Sequence, residues 1–316
     1  MNMPKKLRSL IAEKDYIFSP GCSTPMDAMI VEKAGFDFVY MTGYGTSLTV
    51  LGLPDAGFLT ATEMILNAKH IARAVGIPVI ADADTGFGNA INVIRTVQEY
   101  EMAGVAGIHI EDQVSPKRCG HVAGKMIVPL DEAVGKIRAA VDAKSNRDFM
   151  IIARTDAVSA GNGGFEEALK RGKAFARAGA DMVFSEFPSP DYEHQRRFAE
   201  EIHKDFPNLP LFYNFSSNFE WSKSNLTFKD IAAMGYKVIM ISLGCVRAGA
   251  KAVWDYAEDL KNREEMAEKD FQRKLRGNAI VGPLTMNEFA GFPRVKQMET
   301  KYLSGKEQGD REGDAR

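Results

Sequence analysis

Two stretches of this 316-residue chain gather side chains able to do chemistry. The first is acidic: Asp82 and Asp84 flank Ala83, Glu111 ends a separate apolar run, and Asp55 stands in Gly52-Leu53-Pro54-Asp55. Four carboxylates brought to one site repel one another unless a cation neutralises them, and oxygen-only donors suit a hard ion such as Mg²⁺. Because Mg²⁺ keeps several waters, one or two of the four suffice as direct ligands. An isolated Asp-x-Asp also caps turns, here ahead of Gly86 and Gly88. Glu111, one strand away, tips the balance toward metal. The second stretch is Lys117-Arg118-Cys119-Gly120-His121, between Pro116 and Gly124. A thiol beside two cations and a histidine has its pKa lowered and can move protons near neutrality, and a glycine-bounded loop can close over a substrate. A plain solvated basic loop with an incidental cysteine is the competing reading. Cys22 and Cys245, in or near strand ends, read as packing residues.

These groups need a scaffold that carries them to one place. Short apolar, β-branched runs alternate with helical patterns, which is the mark of successive βα units. Eight such runs stand at 17–19, 37–41, 79–81, 107–110, 150–153, 182–184, 210–213 and 238–241. Helix-ending glycines precede several of them: Gly35, Gly76, Gly104, Gly179 and Gly235. Seven runs are followed by polar groups: Thr42-Gly43-Tyr44, Asp82-Ala83-Asp84, Glu111-Asp112, Arg154-Thr155-Asp156, Ser185-Glu186, Asn214-Phe215-Ser216 and Ser242. A (β/α)₈ TIM barrel, an α/β fold whose chemistry sits at the strand C-termini, would aim all of them at one mouth. The rival open sheet lacks a G-x-G-x-x-G fingerprint after its first strand.

The chain reads as one barrel domain over 1–303 with a C-terminal helical extension, followed by a disordered polar tail over 304–316. Hydrophobic content of 45% supports a full core, and a formal net charge of −2 gives no bulk attraction to nucleic acid or anionic lipid. With no leader-like segment, no membrane span and only three cysteines, a cytoplasmic protein acting on a small molecule is expected. Phe87, Phe184 and Trp254 read as core residues, and His70, His194 and His203 receive no role. A barrel that only binds or regulates is the rival from another class, but a structural barrel needs no such set of strand-end groups.

The runs His109-Ile110-Glu111-Asp112-Gln113 with Lys117 to His121, Asp82 to Asn89, and Ala153-Arg154-Thr155-Asp156-Ala157 closely resemble the signatures of the isocitrate lyase and phosphoenolpyruvate mutase superfamily. The likeness runs in order from about Pro20 to about Arg247. It implies the barrel, Mg²⁺ (or Mn²⁺ in its place) and a homotetramer whose paired subunits exchange a C-terminal helix. Carried onto this chain, it implies that Asp82, helped through water by Asp84, Glu111 and Asp55, holds the ion. Cys119 would protonate the enolate released on cleavage, Tyr40 would lie near the reacting hydroxyl, and Arg154 would stabilise charge. Thr42, Gly43 and Tyr44 would take the 2-oxo acid carboxylate. Gly120, His121, Glu186, Asn214, Ser216, Ser242 and Arg247 would receive the rest of the substrate. The intact Lys-Arg-Cys-Gly-His loop resembles the lyase branch more than the phosphonate mutases, and Ala157 departs from the serine of the oxaloacetate hydrolases. The expected reaction splits 2-methylisocitrate or isocitrate into pyruvate or glyoxylate plus succinate. A 2,3-dimethylmalate lyase is the alternative, ahead of an oxaloacetate hydrolase or decarboxylase and a phosphonate mutase.

Overall fold

The computed structural model describes residues 2–120, 122–190, 192–282 and 285–303. Eight parallel strands close into a barrel in sequence order: β1 (Ile17–Cys22), β2 (Val39–Met41), β3 (Val79–Asp82), β4 (Gly107–Glu111), β5 (Met150–Thr155), β6 (Met182–Ser185), β7 (Leu211–Asn214) and β8 (Tyr236–Ile241). Closure comes from β1 pairing with β8, Ile17 opposite Val238 through Pro20 opposite Ile241. All eight expected runs are strands, so the chain has the TIM-type fold. No helix is long and apolar enough to cross a membrane, among the described residues. The tail over 304–316 lies outside the described residues.

Alternating strand positions build two cores. Tyr40, Ile80, Ile152, Phe184, Phe212 and Met240 point into the barrel, while Leu7 and Ile11 of an N-terminal helix (Met3–Glu13) join the same inner cluster. Val39, Ala81, Ile108, Ile151, Val183 and Ile239 point outward against the surrounding helices. Burying each such aliphatic or aromatic side chain contributes about 1.5–3 kcal/mol. Four of the five expected glycine caps adopt the left-handed conformation, with φ of 91° at Gly35, 92° at Gly104, 93° at Gly179 and 104° at Gly235. Gly76 does not, because Val75 leaves the helix Ala61–Ala74 extended and the Gly76 amide donates to Glu32 Oε1 instead.

Compact packing divides the chain into residues 1–248 and 249–316. The second unit is helical, with Glu265–Leu275, Thr285–Ala290 and Phe292–Tyr302. Trp254 corrects the expectation that it is core: it is 65% exposed, on the helix Gly244–Arg263. A tryptophan's size favours burial only if other elements pack over its face, and the local pattern cannot report that.

Candidate active site

The strand C-termini carry the polar groups. Asp82 and Glu111 close β3 and β4, Arg154 lies one residue before the end of β5, Asn214 ends β7, and Glu186 and Ser242 directly follow β6 and β8. Asp82 accepts from the Gly43 amide (3.2 Å) and from the Asp84 amide (2.9 Å). A Cβ at position 43 would lie 2.5 Å from Asp82 Oδ2, so glycine is what lets this backbone approach the carboxylate. Asp84 and Phe87 both hold positive φ, 47° and 58°, in the turn after β3. Such backbone costs about 1–3 kcal/mol per residue and is characteristic of functional turns.

Two buried lysines stitch the mouth together. Lys117 Nζ lies 2.5 Å from Asp55 Oδ1 and 2.8 Å from Asp84 Oδ1, bridging the segment after β2 to the turn after β3. Lys125 Nζ donates to the Gly120 carbonyl and lies 3.4 Å from Asp156 Oδ1. Asp156 in turn receives both Nε (2.9 Å) and Nη2 (3.0 Å) of Arg154, whose remaining reach is toward Glu111 (3.4 Å) and Glu186 (3.6 Å). This paired fork fixes the guanidinium plane. Below it, Asp112 accepts from Thr155 Oγ1 (2.7 Å), the Asp156 amide (2.9 Å) and Arg171 (3.1 Å).

The loop between β4 and the helix Leu130–Ala143 is closed at its base by the antiparallel bridge of Gln113 with Ile127. The Gln113 side chain clamps the Arg118 backbone, donating to its carbonyl (2.8 Å) and accepting from its amide (3.1 Å). The cations flanking Cys119 in the sequence are thus committed elsewhere: Lys117 to Asp55 and Asp84, Arg118 Nη1 to the Ala123 carbonyl (3.1 Å). Cys119 itself is half-buried. His121 lies outside the described residues.

One small cavity, about 40 Å³, opens among Tyr40, Thr42, Tyr44, Asp55, Asp82, Cys119, Gly120, Arg154, Glu186, Asn214, Asn218 and Ser242. It brings together most of the expected site residues. Glu111 is fully inside the protein beside Arg154, and Asp84 faces Lys117. Ser216 does not line the cavity, since its Oγ accepts from the Asn218 amide (3.2 Å). Arg247 is also absent from the lining, its Nη1 bonded to the Ser217 carbonyl.

Sequence reasoning assigned no role to His109, Lys125 or Asp156, although His109 and Asp156 stood inside quoted motifs. His109 is a buried polar residue in an otherwise apolar strand, and that signal was available. Its Nε2 lies 2.9 Å from the Tyr40 hydroxyl and its Nδ1 lies 3.7 Å from Asp82 Oδ1. Burial outweighs the attraction of Asp82 and pushes the imidazole down to about 4, so it is neutral at pH 7. Burial, reinforced by Asp82, likewise holds the Tyr40 phenol protonated. Burial opposes the Asp82 anion, but the charges around it win and keep its pKa low. With His109 neutral, the weight falls on Lys117, Arg154 and the Asp84 amide.

The donor set suits a hard divalent cation. Asp55, Asp84, Glu111, Asp156 and Glu186 share Lys117, Lys125 and Arg154 as cationic partners, and Asp82 lies among them. Burial raises Asp84 to about 6 despite Lys117, and burial raises Glu111 well above the usual range despite Arg154. Glu111 Oε1 is buried with no hydrogen-bond partner. These are carboxyls that a further positive charge would relieve. Among the described residues no three His, Cys, Asp or Glu side chains form a ready-made shell. An ion that takes one or two carboxylates plus water needs none.

Comparison with known proteins agrees with this architecture. A family model described as phosphoenolpyruvate phosphomutase matches residues 7–261. An isocitrate lyase of Haloferax volcanii is 45% identical over 300 residues, covering 94% of this chain and 86% of its own length. A 2,3-dimethylmalate lyase of Eubacterium barkeri is 42% identical over 307 residues, covering 97% of this chain and 100% of its own. Among solved structures, phosphonopyruvate hydrolase in complex with oxalate and Mg²⁺ superposes with a TM-score of 0.79 at 30% identity, over 96% of this chain and 100% of that one. The chain belongs to the phosphoenolpyruvate mutase and isocitrate lyase superfamily and is an enzyme of its carbon–carbon lyase kind.

Proposed function

We propose that this enzyme cleaves the bond next to the hydroxyl-bearing carbon of a 2-hydroxy di- or tricarboxylate, with Mg²⁺ as cofactor and Cys119 as proton donor. The observation that carries the reading is the single cavity that Cys119, Gly120, Tyr40, Asp82, Arg154, Glu186, Asn214 and Ser242 share. Asp82 would hold the cation, with Asp84, Glu111 and Asp55 around it. A bound Mg²⁺ supplies Lewis-acid stabilisation of the oxygen that becomes a carbonyl.

The chain's own residues do the rest. Arg154, locked by Asp156, faces charge developing on the 2-oxo acid product, whose carboxylate sits against Thr42, Gly43 and Tyr44. Tyr40 Oη, protonated and bonded to neutral His109 Nε2 2.9 Å away, hydrogen-bonds the substrate hydroxyl, whose proton leaves to solvent as the bond breaks. The pair of electrons from the broken C–C bond moves onto the carbon beside the departing carboxylate. That enolate takes the Cys119 thiol proton. One proton leaves the hydroxyl and one reaches carbon, and the thiolate resets with solvent as products leave. Tyr44, half-buried at the cavity edge, faces the substituent that separates glyoxylate from pyruvate. One methylene there discriminates by only about 1–3 kcal/mol.

The first-choice substrates are 2-methylisocitrate and isocitrate, giving succinate as second product, with Asn214, Ser216, Ser242 and Arg247 as the donors to its carboxylates. A specific observation favours 2,3-dimethylmalate as the second reading: only Asn214 and Ser242 of those donors line the cavity. Comparing kcat/KM for 2-methylisocitrate, isocitrate, 2,3-dimethylmalate and oxaloacetate decides between them. Dimethylmalate leading with both tricarboxylates inert overturns the first choice; turnover of none in the presence of Mg²⁺ overturns the lyase reading. A homotetramer is expected, and light scattering on the eluting protein measures it.

A further inference from the structure

We propose that Lys125 is the positioning residue that latches the Cys119 loop onto the Arg154–Asp156 fork, setting thiol and guanidinium in one geometry. The inference rests on the lyase reading for its kinetic consequence but not for its structural one.

A lysine ammonium that is 2% exposed is costly to bury and persists only where partners repay the desolvation. Here the partners come from two different elements. The Gly120 carbonyl belongs to the residue after Cys119, and Asp156 follows β5. The same lysine therefore neutralises the carboxylate that holds Arg154 and grips the peptide next to the thiol. A second observation shows how closely the loop seats there: a Cβ on Gly120 would lie 2.5 Å from Arg154 Nη2 and 3.1 Å from Asp156 Oδ1. With the loop seated, Cys119 and Gly120 line the cavity beside Arg154. Lys117 ties the same loop to Asp55 and Asp84 on the β2 and β3 side, whereas Lys125 ties it to Asp156 at the end of β5. Losing the latch should misplace the thiol by a fraction of its working distance, and misplacements of about 1 Å cost about 10²-fold in rate.

The test is Lys125→Met, which keeps most of the aliphatic stem, on the full-length protein. Two readouts are taken: the rate at which iodoacetamide alkylates Cys119, mapped by peptide mass spectrometry, and kcat with KM on the best substrate. The expected result is alkylation about 10-fold faster, kcat down about 10²-fold with KM moved less than about 5-fold, and partial recovery of kcat by added ethylammonium but not tetramethylammonium. A lysine serving stability alone would lower the melting temperature and leave alkylation and kcat as in the wild type, which overturns the proposal. If Lys125→Met does not fold, Lys125→Gln, which removes the cation, carries the same two readouts; wild-type alkylation and wild-type kcat in that variant likewise overturn it. Faster alkylation in a protein whose wild type turns over none of the acids supports the latch and removes the lyase reading instead.

Discussion

The β3–β4 side of the mouth and the β7–β8 side use the same strand-end positions and hold their polar groups in opposite ways. On the first, Asp82, Asp84 and Asp55 are each tied to a backbone amide or to Lys117, and Glu111 lies against Arg154. Asp82, Asp84 and Glu111 are buried, Asp55 is half-buried, and all four lie among charges. On the second, Asn214 donates to both Glu186 oxygens (3.2 and 3.0 Å), Ser216 caps its own turn, and Arg247 rests on a neighbouring carbonyl. Asn214 and Ser216 are neutral and Arg247 rests on a neutral carbonyl, so a ligand carboxylate can replace those bonds. The difference teaches where chemistry and selectivity reside: a preorganised charged wall suits the bond-breaking step common to several substrates, whereas a wall of exchangeable donors suits recognition of whatever differs between them.

The largest effect that would break this contrast is on the charged wall. Asp82→Ala, or chelation of divalent ions from the wild type, is expected to remove turnover by about 10³-fold or more, as loss of several kcal/mol of charge stabilisation requires. Full activity of chelator-treated protein would mean the carboxylates are balanced by the lysines and arginine alone. Next, Cys119→Ser should lower cleavage by about 10²–10⁴-fold with an unchanged melting temperature, since a hydroxyl is a poor substitute proton donor. Normal cleavage by this variant would move the enzyme toward the branches of its superfamily that need no thiol.

Gly43→Ala sharpens the comparison at constant charge. Its Cβ, 2.5 Å from Asp82 Oδ2, should displace the carboxylate and cost about 10²-fold in kcat while the barrel survives. Circular dichroism and initial rates together check it. On the other wall the effects should be smaller and should appear in KM. Asn214→Ala removes bonds worth about 0.5–1.5 kcal/mol each, so a rise of about 3- to 10-fold is expected. Arg247→Ala should be the mildest, under about 2-fold for 2,3-dimethylmalate and clearly larger for a tricarboxylate that recruits the guanidinium. Equal effects on both substrates would show that the arginine has no part in recognition.

Much of the fold was legible because each βα unit announces itself locally. The strands differ from the expected runs mainly at their ends: β5 continues through Thr155 and β8 begins at Tyr236, because ladder pairing with Ser185 and with Leu211 extends them past the apolar run. Much of the mouth was legible for the same reason, since polar residues immediately after an apolar run must sit at the strand's C-terminal end. Lys125 was not legible. Its Asp156 partner is 31 residues away, and nothing in Gly124-Lys125-Met126 distinguishes a buried ammonium from a solvated one.

Element order, the closure of eight parallel strands and the face on which Asp82, Glu111, Arg154, Glu186 and Asn214 emerge follow from the order of residues alone, because periodicity and chain direction are local properties that a parallel barrel converts into a common orientation. The pairings come from packing in three dimensions. Lys117 went to Asp55 and Asp84 rather than to the thiol two residues along, Arg154 was locked by Asp156, and Arg247 turned to Ser217. Which counter-charge a buried ion finds depends on distances of a few ångströms between elements far apart in the chain. Coulomb energy and desolvation vary steeply over that range.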